Sequence, residues 1–333
     1  MVASMQGKRR FLFALSAAAL AAGLPLPGLA QGSSDYPNRP VRLVVPYPPG
    51  GSVDPVARLM ADKLTQLWGR QVVVDNRPGA STIIGTDVVA KAAPDGYTLL
   101  LTASTHASNP LLFSNLPYDS VKDFVPVTPI YKAEFVLVAH PSVKANTLKE
   151  FIADAKAHPD TYSYASAGNG NANHIAMELF GMLTGTKMLH VPYKGGGPLM
   201  TDLLSGQVQL YFAVPITAIP YLQKGQLKAL GTTAETRLPL MPGVPTFAEA
   251  GLPGFGMKSW LGVLAPAATP RPVIDRIAAD IGRVFAMPDV REKLLSQGQI
   301  PWTTTPDEFA AAMKSDTAEF ARVIEAANIK LTP

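Results

Sequence analysis

The chain has 333 residues, of which 47% are apolar and 16% charged; its net charge is +4 and it has no cysteine. The length suits about two domains, and the apolar content excludes a disordered chain. The lack of cysteine excludes disulfide scaffolds, thiol nucleophiles, thiol redox chemistry and Cys-ligated zinc.

Lys8, Arg9 and Arg10 precede an apolar run, Phe11–Leu26, which Pro25 and Pro27 break ahead of the small residues Gly28 and Ala30. This is the three-part pattern of a secretory signal peptide cleaved near Ala30. The run is short for a membrane span, and an uncleaved anchor is the alternative. Arg9-Arg10-Phe11-Leu12 leaves both the Sec and the twin-arginine routes open. Without residues 1–30 the chain has 26 basic and 25 acidic residues. No Lys/Arg block follows, so the basic excess implies no nucleic-acid partner.

Val41–Val45 reads as a buried strand and Pro46–Val53 as a loop. Asp54 is placed as the N-cap of a helix with Pro55 at its first position. Val56, Leu59, Met60, Leu64 and Leu67 give that helix an apolar face, and Gly69 ends it. A second strand at 72–74, a loop at 76–80 and a helix at 82–92 capped by Ser81 follow. A third strand, 97–101, leads through a polar loop, 102–109, into a short helix. Phe135–Ala139 is a β-branched strand, and Thr147 to Glu150 has the spacing of a capping box. The strand–loop–helix unit then returns twice, at 162–183 and 188–205. Segments 208–212, 227–230 and 260–264 read as strands, and 273–286, 288–296 and 306–327 as helices.

The repeated unit predicts an α/β fold of parallel sheets with helices on both faces. Its two batches predict two lobes: lobe 1 from 36–133 and 266–333, lobe 2 from 134–257, with crossing strands at 128–139 and 257–265. Such sheets bind ligands beyond the carboxyl ends of their strands, and inter-lobe clefts favour small molecules.

Gly50-Gly51-Ser52-Val53-Asp54-Pro55 opens a helix, where free N–H groups and the dipole suit an anion. A plain capped helix is the alternative, and the Asp54 charge repels an anion unless it points away or meets a cation. Ser166–Asn173 contains Gly168-x-Gly170 but has Asn173 in place of a third glycine and no acid at the needed distance, so it is no dinucleotide fingerprint. Tyr193–Pro198 is another small-residue loop without a Walker sequence; Lys194 there either draws an anion or is solvated. His106, His140, His158, His174 and His190 have no metal-ligand spacing, so neither metal nor cofactor is expected. His106 either faces the cleft or is a hydrogen-bonded structural histidine. Ser52, Ser81, Ser104 and Ser166 lack the G-x-S-x-G frame. An exported hydrolase pairing His106 or His174 with a loop serine is the competing reading. Loops rich in Gly, Ser, Thr and Asn, and nearly free of acid, suit a carboxylate held by neutral donors better than acid–base catalysis.

Pro46–Asp54 (PYPPGGSVD), Asn76–Ala80 (NRPGA), Leu116–Phe124 (LPYDSVKDF), Tyr164–His174, His190–Pro198 and Pro245–Gly254 (PTFAEAGLPG) occur in that order. Together, over residues 37–330, they resemble the extracytoplasmic receptors of tripartite tricarboxylate transporters, the Bug family. The resemblance implies a periplasmic, non-enzymatic, monomeric receptor with a type II periplasmic-binding-protein-like fold. It implies a small carboxylate ligand (a di- or tricarboxylate, an amino acid or an aromatic acid) held largely by backbone amides and bridging waters. The implied partners are membrane transporter subunits, with a sensor kinase as the other membrane partner considered. Carried onto this chain, the ligand contacts fall on Tyr47, Gly50, Gly51, Ser52 and Val53, on Ala80, Ser81 and Thr82, and on Ser104, Thr105 and His106. In the second lobe they fall on Ser166, Gly168, Asn169, Gly170 and Asn171, on Tyr193, Lys194 and Gly195, and on Ala213. The family often places a polar residue after the strand matching 208–212; here Ala213-Val214-Pro215 follows, which favours a partly apolar or aromatic acid.

Overall fold

The computed structural model describes residues 36–50, 53–193, 195–255, 257, 259–326 and 329. The expected signal peptide, Gly51, Ser52 and Lys194 lie outside the described residues. The chain runs through β1 (Val41–Val45), α1 (Asp54–Trp68), β2 (Val72–Asn76), α2 (Ile83–Ala90), β3 (Thr98–Ala103), α3 (Thr105–Leu112) and β4 (Phe124–Ala133). It continues through β5 (Val136–Ala139), α4 (Leu148–Ala157), β6 (Ser163–Ser166), α5 (Ala172–Thr184), β7 (Leu189–Pro192), α6 (Gly196–Leu204), β8 (Leu210–Ala213), α7 (Pro215–Gln223) and β9 (Lys228–Thr232). Last come β10 (Ser259–Pro266), α8 (Arg271–Ala286), α9 (Pro288–Leu295), β11 (Gln299–Pro301) and α10 (Pro306–Ala326).

The strands form two mixed sheets, ordered β11-β4-β10-β3-β1-β2 and β7-β6-β8-β5-β9, which gives the two-lobed α/β architecture. β1 lies parallel to β2 and β3, and β6 parallel to β7 and β8. β10 is antiparallel to β3 and β4, and β5 to β8 and β9. Val41, Leu43, Val44 and Val45 are all fully buried, as a parallel strand covered on both faces requires. α1 buries Val56, Met60 and Leu64 and ends on Gly69, whose left-handed φ of 62° lets its N–H reach Thr65 O. α10 packs on both α3 and α5, and its Phe320, Val323 and Ile324 join Leu112 to the core of the second sheet. Among the described residues no helix is long and apolar enough to cross a membrane.

The chain passes between the sheets at Glu134-Phe135 and again between β9 and β10. Thr233 stitches these links together. Its hydroxyl accepts from Phe135 N–H and donates to Glu134 Oε2, each at 2.9 Å, and its own N–H donates to Phe135 O at 2.9 Å.

Several local expectations are corrected. The N-cap of α1 is Val53, with Asp54 already inside the first turn. Ser81 caps nothing: it sits in a 3-10 turn, Ala80–Thr82, and α2 starts one residue later. The expected 102–109 loop is instead the end of β3 and the first part of α3. The capping box of α4 is present, Thr147 Oγ1 accepting from Glu150 N–H while Glu150 Oε2 accepts from Thr147 N–H.

Candidate functional site

In both sheets the parallel strands β1, β2, β3 and β6, β7, β8 lead at their carboxyl ends into α1, α2, α3 and α5, α6, α7. The first N–H groups of a helix lack intrahelical acceptors, and a side-chain cap usually takes one. Among the described residues only α5 of these six starts has such a cap, the Asn171 side chain accepting from Asn173 N–H at 3.2 Å. α1, α2, α3, α6 and α7 begin at Val53, Thr82, Ser104, Gly195 and Val214 with none. The positive ends of these helices are therefore left for solvent or a bound anion.

Asp54 does not oppose this. Its carboxylate accepts from Arg58 Nε at 2.9 Å and Nη2 at 3.1 Å, from Gly50 N–H at 3.1 Å and from Asn76 Nδ2 at 3.1 Å. The hydrogen bond from Arg58 chiefly holds its pKa below the usual range. The carboxylate is turned back to Gly50 and across to Arg58, which is why it does not cap the helix it begins.

After β2, Ala80, Ser81 and Thr82 take φ values of 45°, 51° and 78°. A left-handed L residue costs about 1–2 kcal/mol, and strain of this kind collects at functional sites. Asn109 of α3 holds the turn, its Nδ2 donating to Ser81 O at 2.9 Å and Thr82 Oγ1 at 3.2 Å. Replacing Ser81 with glycine is expected to raise the unfolding free energy by about 1 kcal/mol while weakening ligand binding, since the turn loses its preset shape. Urea unfolding and titration calorimetry on one sample read the two opposite signs.

The Tyr47 hydroxyl accepts from Ala103 N–H at 3.1 Å and pairs with Thr105 Oγ1 at 3.0 Å, tying the loop after β1 to the start of α3. Ser104 Oγ pairs with Ser259 Oγ at 3.1 Å. His106 is 1% exposed, and its Nε2 lies 2.9 Å from Ser120 O. A carbonyl only accepts, so Nε2 carries the proton and the buried Nδ1 is left without a partner. Burial pushes its pKa down to about 4. The side chain of His106 is thus a neutral structural group.

In the second lobe Tyr193 N–H donates to Ser166 O at 2.9 Å. Ser166 Oγ donates to Gly168 O at 3.1 Å and lies 2.6 Å from His190 Nε2. Gly170 N–H donates to His174 Nδ1 at 3.0 Å. The rings of His174 and His190 stack at 3.8 Å between centroids, with Tyr164 over His190 at 4.9 Å, and Tyr164 donates to Glu178. Burial, and for His174 also the neighbouring His190, pushes these pKa values down to about 3 and about 4. Two neutral imidazoles therefore brace the loop. Asn169 is exposed. Tyr193 turns its hydroxyl to Asp202 at 2.7 Å, and burial together with that carboxylate pushes it up to about 12.

α3 draws most of these loops together. It meets Tyr47 through Thr105, the 80–82 turn through Asn109, and the second lobe through Ser108, whose Oγ donates to Gly170 O at 3.3 Å. Gly195 stands at the start of α6, and Ala213 ends β8, buried opposite Val136. Ser108, Asn109 and His190 were not among the sequence candidates. The pairing of Tyr164 with His190 in β6 and β7 is the kind of signal that finds the last, once the two strands are known to be neighbours.

The hydrolase alternative gains no triad. Among the described residues neither His106 nor His174 hydrogen-bonds to a serine hydroxyl; His106 meets only the backbone carbonyl of Ser120. Among the described residues no carboxylate hydrogen-bonds to the other imidazole nitrogen of His190 to orient the Ser166–His190 pair. No group of three metal-ligating side chains occurs among the described residues.

Residues 56–329 match the model of the tripartite tricarboxylate transporter family receptor. The chain is 37% identical to protein BugT of Bordetella pertussis over 301 residues, 89% of this chain and 91% of BugT. It is 33% identical to Rpa4515 of R. palustris, solved with adipate, at a TM-score of 0.81, covering 89% of this chain and 99% of that one. MatC of Rhodopseudomonas palustris, solved with bound malate, is 32% identical at a TM-score of 0.76, covering 87% and 100%. Fold and relatives define a solute-binding protein. The chain belongs to the family of tripartite tricarboxylate transporter receptors.

Proposed function

We propose that the protein is a periplasmic receptor, exported by its first 30 residues, that captures a small dicarboxylate with an apolar middle and delivers it to tripartite membrane subunits. The observation that carries this reading is the set of five helix starts without side-chain caps around the carboxyl ends of both sheets. A carboxylate supplies the acceptors those N–H groups lack, and Asp54, in the first turn of α1, is already paired with Arg58. Adipate in Rpa4515 and malate in MatC are both dicarboxylates, which supports the ligand class. Ala213-Val214-Pro215 offers no side-chain donor at the end of β8, so adipate suits it better than the hydroxylated malate.

Thermal melts and titration calorimetry with adipate, malate and glucose test this. Adipate is expected to raise the melting temperature and to bind more tightly than malate, with glucose inert. Stabilisation by glucose and by neither acid overturns the reading.

A further inference from the structure

A cavity of about 800 Å³ lies at the link between the two sheets. One wall is the segment that follows β9, including Leu240; the other is built by the α8–α9 junction and β11, including Leu295 and Ile300. These three residues are 37%, 46% and 39% exposed, so the cavity gathers large apolar groups that the described residues leave partly uncovered. Its floor is close-packed: a Cβ on Gly298, whose φ is +72°, would lie 2.8 Å from Pro215 Cβ and 3.6 Å from Leu240 Cδ1. The apolar walls are therefore held in place and do not collapse on one another.

The charges at the rim are unevenly engaged. Arg237 is paired with Glu249 at 2.9 Å, and Glu134 accepts from Thr233. Lys132 lies 4.3 Å from the ring centroid of Trp302. Neither Lys132 nor Arg291 meets a carboxylate among the described residues, although both line the cavity. Glu292 follows Arg291 on the same helix turn, where successive side chains diverge.

We propose that this cavity is a second binding site, for an amphipathic acid: a medium-length alkyl or aryl group against Leu240, Leu295 and Ile300, with its carboxylate on Arg291 and Lys132. The volume falls in the range of small-ligand sites, which pair apolar walls with a few placed polar groups, and a guanidinium matches a carboxylate with two parallel donors. None of the residues that line the cavity belongs to the five helix starts, although its floor packs on Pro215 in the first turn of α7.

Octanoate titrated into the full mature protein, with adipate absent and then saturating, tests the proposal. Saturable octanoate binding that adipate leaves unchanged is expected. Arg291→Ala is expected to weaken it about tenfold or more, and Ala286→Trp, which fills the cavity from the exposed end of α8, to abolish it. Both variants are expected to keep the adipate affinity and the melting temperature of the parent. Octanoate that does not bind in the millimolar range, that binds equally to both variants, or that competes with adipate overturns the second site. None of those results bears on the adipate arm, which alone decides the receptor reading.

Discussion

Replacing Gly170 with alanine is expected to weaken dicarboxylate binding by about thirtyfold and to lower the melting temperature. The residue has a φ of +71°, and its new Cβ would lie 2.1 Å from Leu112 Cδ1. Two penalties thus coincide, a left-handed backbone and a collision with α3, and backbone strain of this order costs about 1–3 kcal/mol. Because Gly170 O accepts from Ser108 and Gly170 N–H donates to His174, the displacement moves the whole 168–171 loop relative to α3. Calorimetry reads the affinity. A compensating Leu112→Ala change should restore part of it, since it removes the collision and leaves the strain. Binding unchanged in Gly170→Ala would mean that the loop does not meet the ligand.

Stability is expected to fall as pH drops from about 6.5, the ordinary histidine value. Burial holds His106 at about 4, His174 at about 3 and His190 at about 4 in the folded chain. Between those values and the ordinary one the unfolded chain binds more protons than the folded one, so unfolding free energy rises with pH. The contribution is whole above the unfolded value and is lost as pH falls through the folded values. For the fully buried His106 the loss reaches about 3 kcal/mol. Protonating Nδ1 of His174 also removes the acceptor of Gly170 N–H, so affinity declines along with stability. Urea unfolding across this range should slope less steeply in His106→Gln. A flat profile in the parent chain contradicts the assignment.

Much of this architecture is legible in the chain itself. Val41–Val45, the Thr147–Glu150 box and the small-residue loops each carry their signal within a few neighbours. Where the reading falls short, the deciding contact is distant. β4 holds Pro126 and Pro129, residues that argue against a strand. They lie where only β10 pairs with β4, because β11 reaches no further than Tyr131, so no ladder bond is forfeited on the open side. α7 begins at Pro215 and contains Pro220, and breaker rules hide it. The left-handed turn at Ala80–Thr82 has no glycine to announce it; Asn109, 27 and 28 residues away, enforces it. Asp54 fails as a cap because Arg58, one turn on, claims its carboxylate.

The bare beginnings of α1, α2, α3, α6 and α7 carry a warning for anyone seeking a hardier protein. Installing serine or aspartate at Val53 or Val214 is the ordinary remedy for an unfinished helix and would add melting temperature. Each such repair also seats a permanent internal substitute where the proposed ligand would be held. The engineered chain would be sturdier on the shelf and worse at its trade, and a screen for heat resistance alone would choose it.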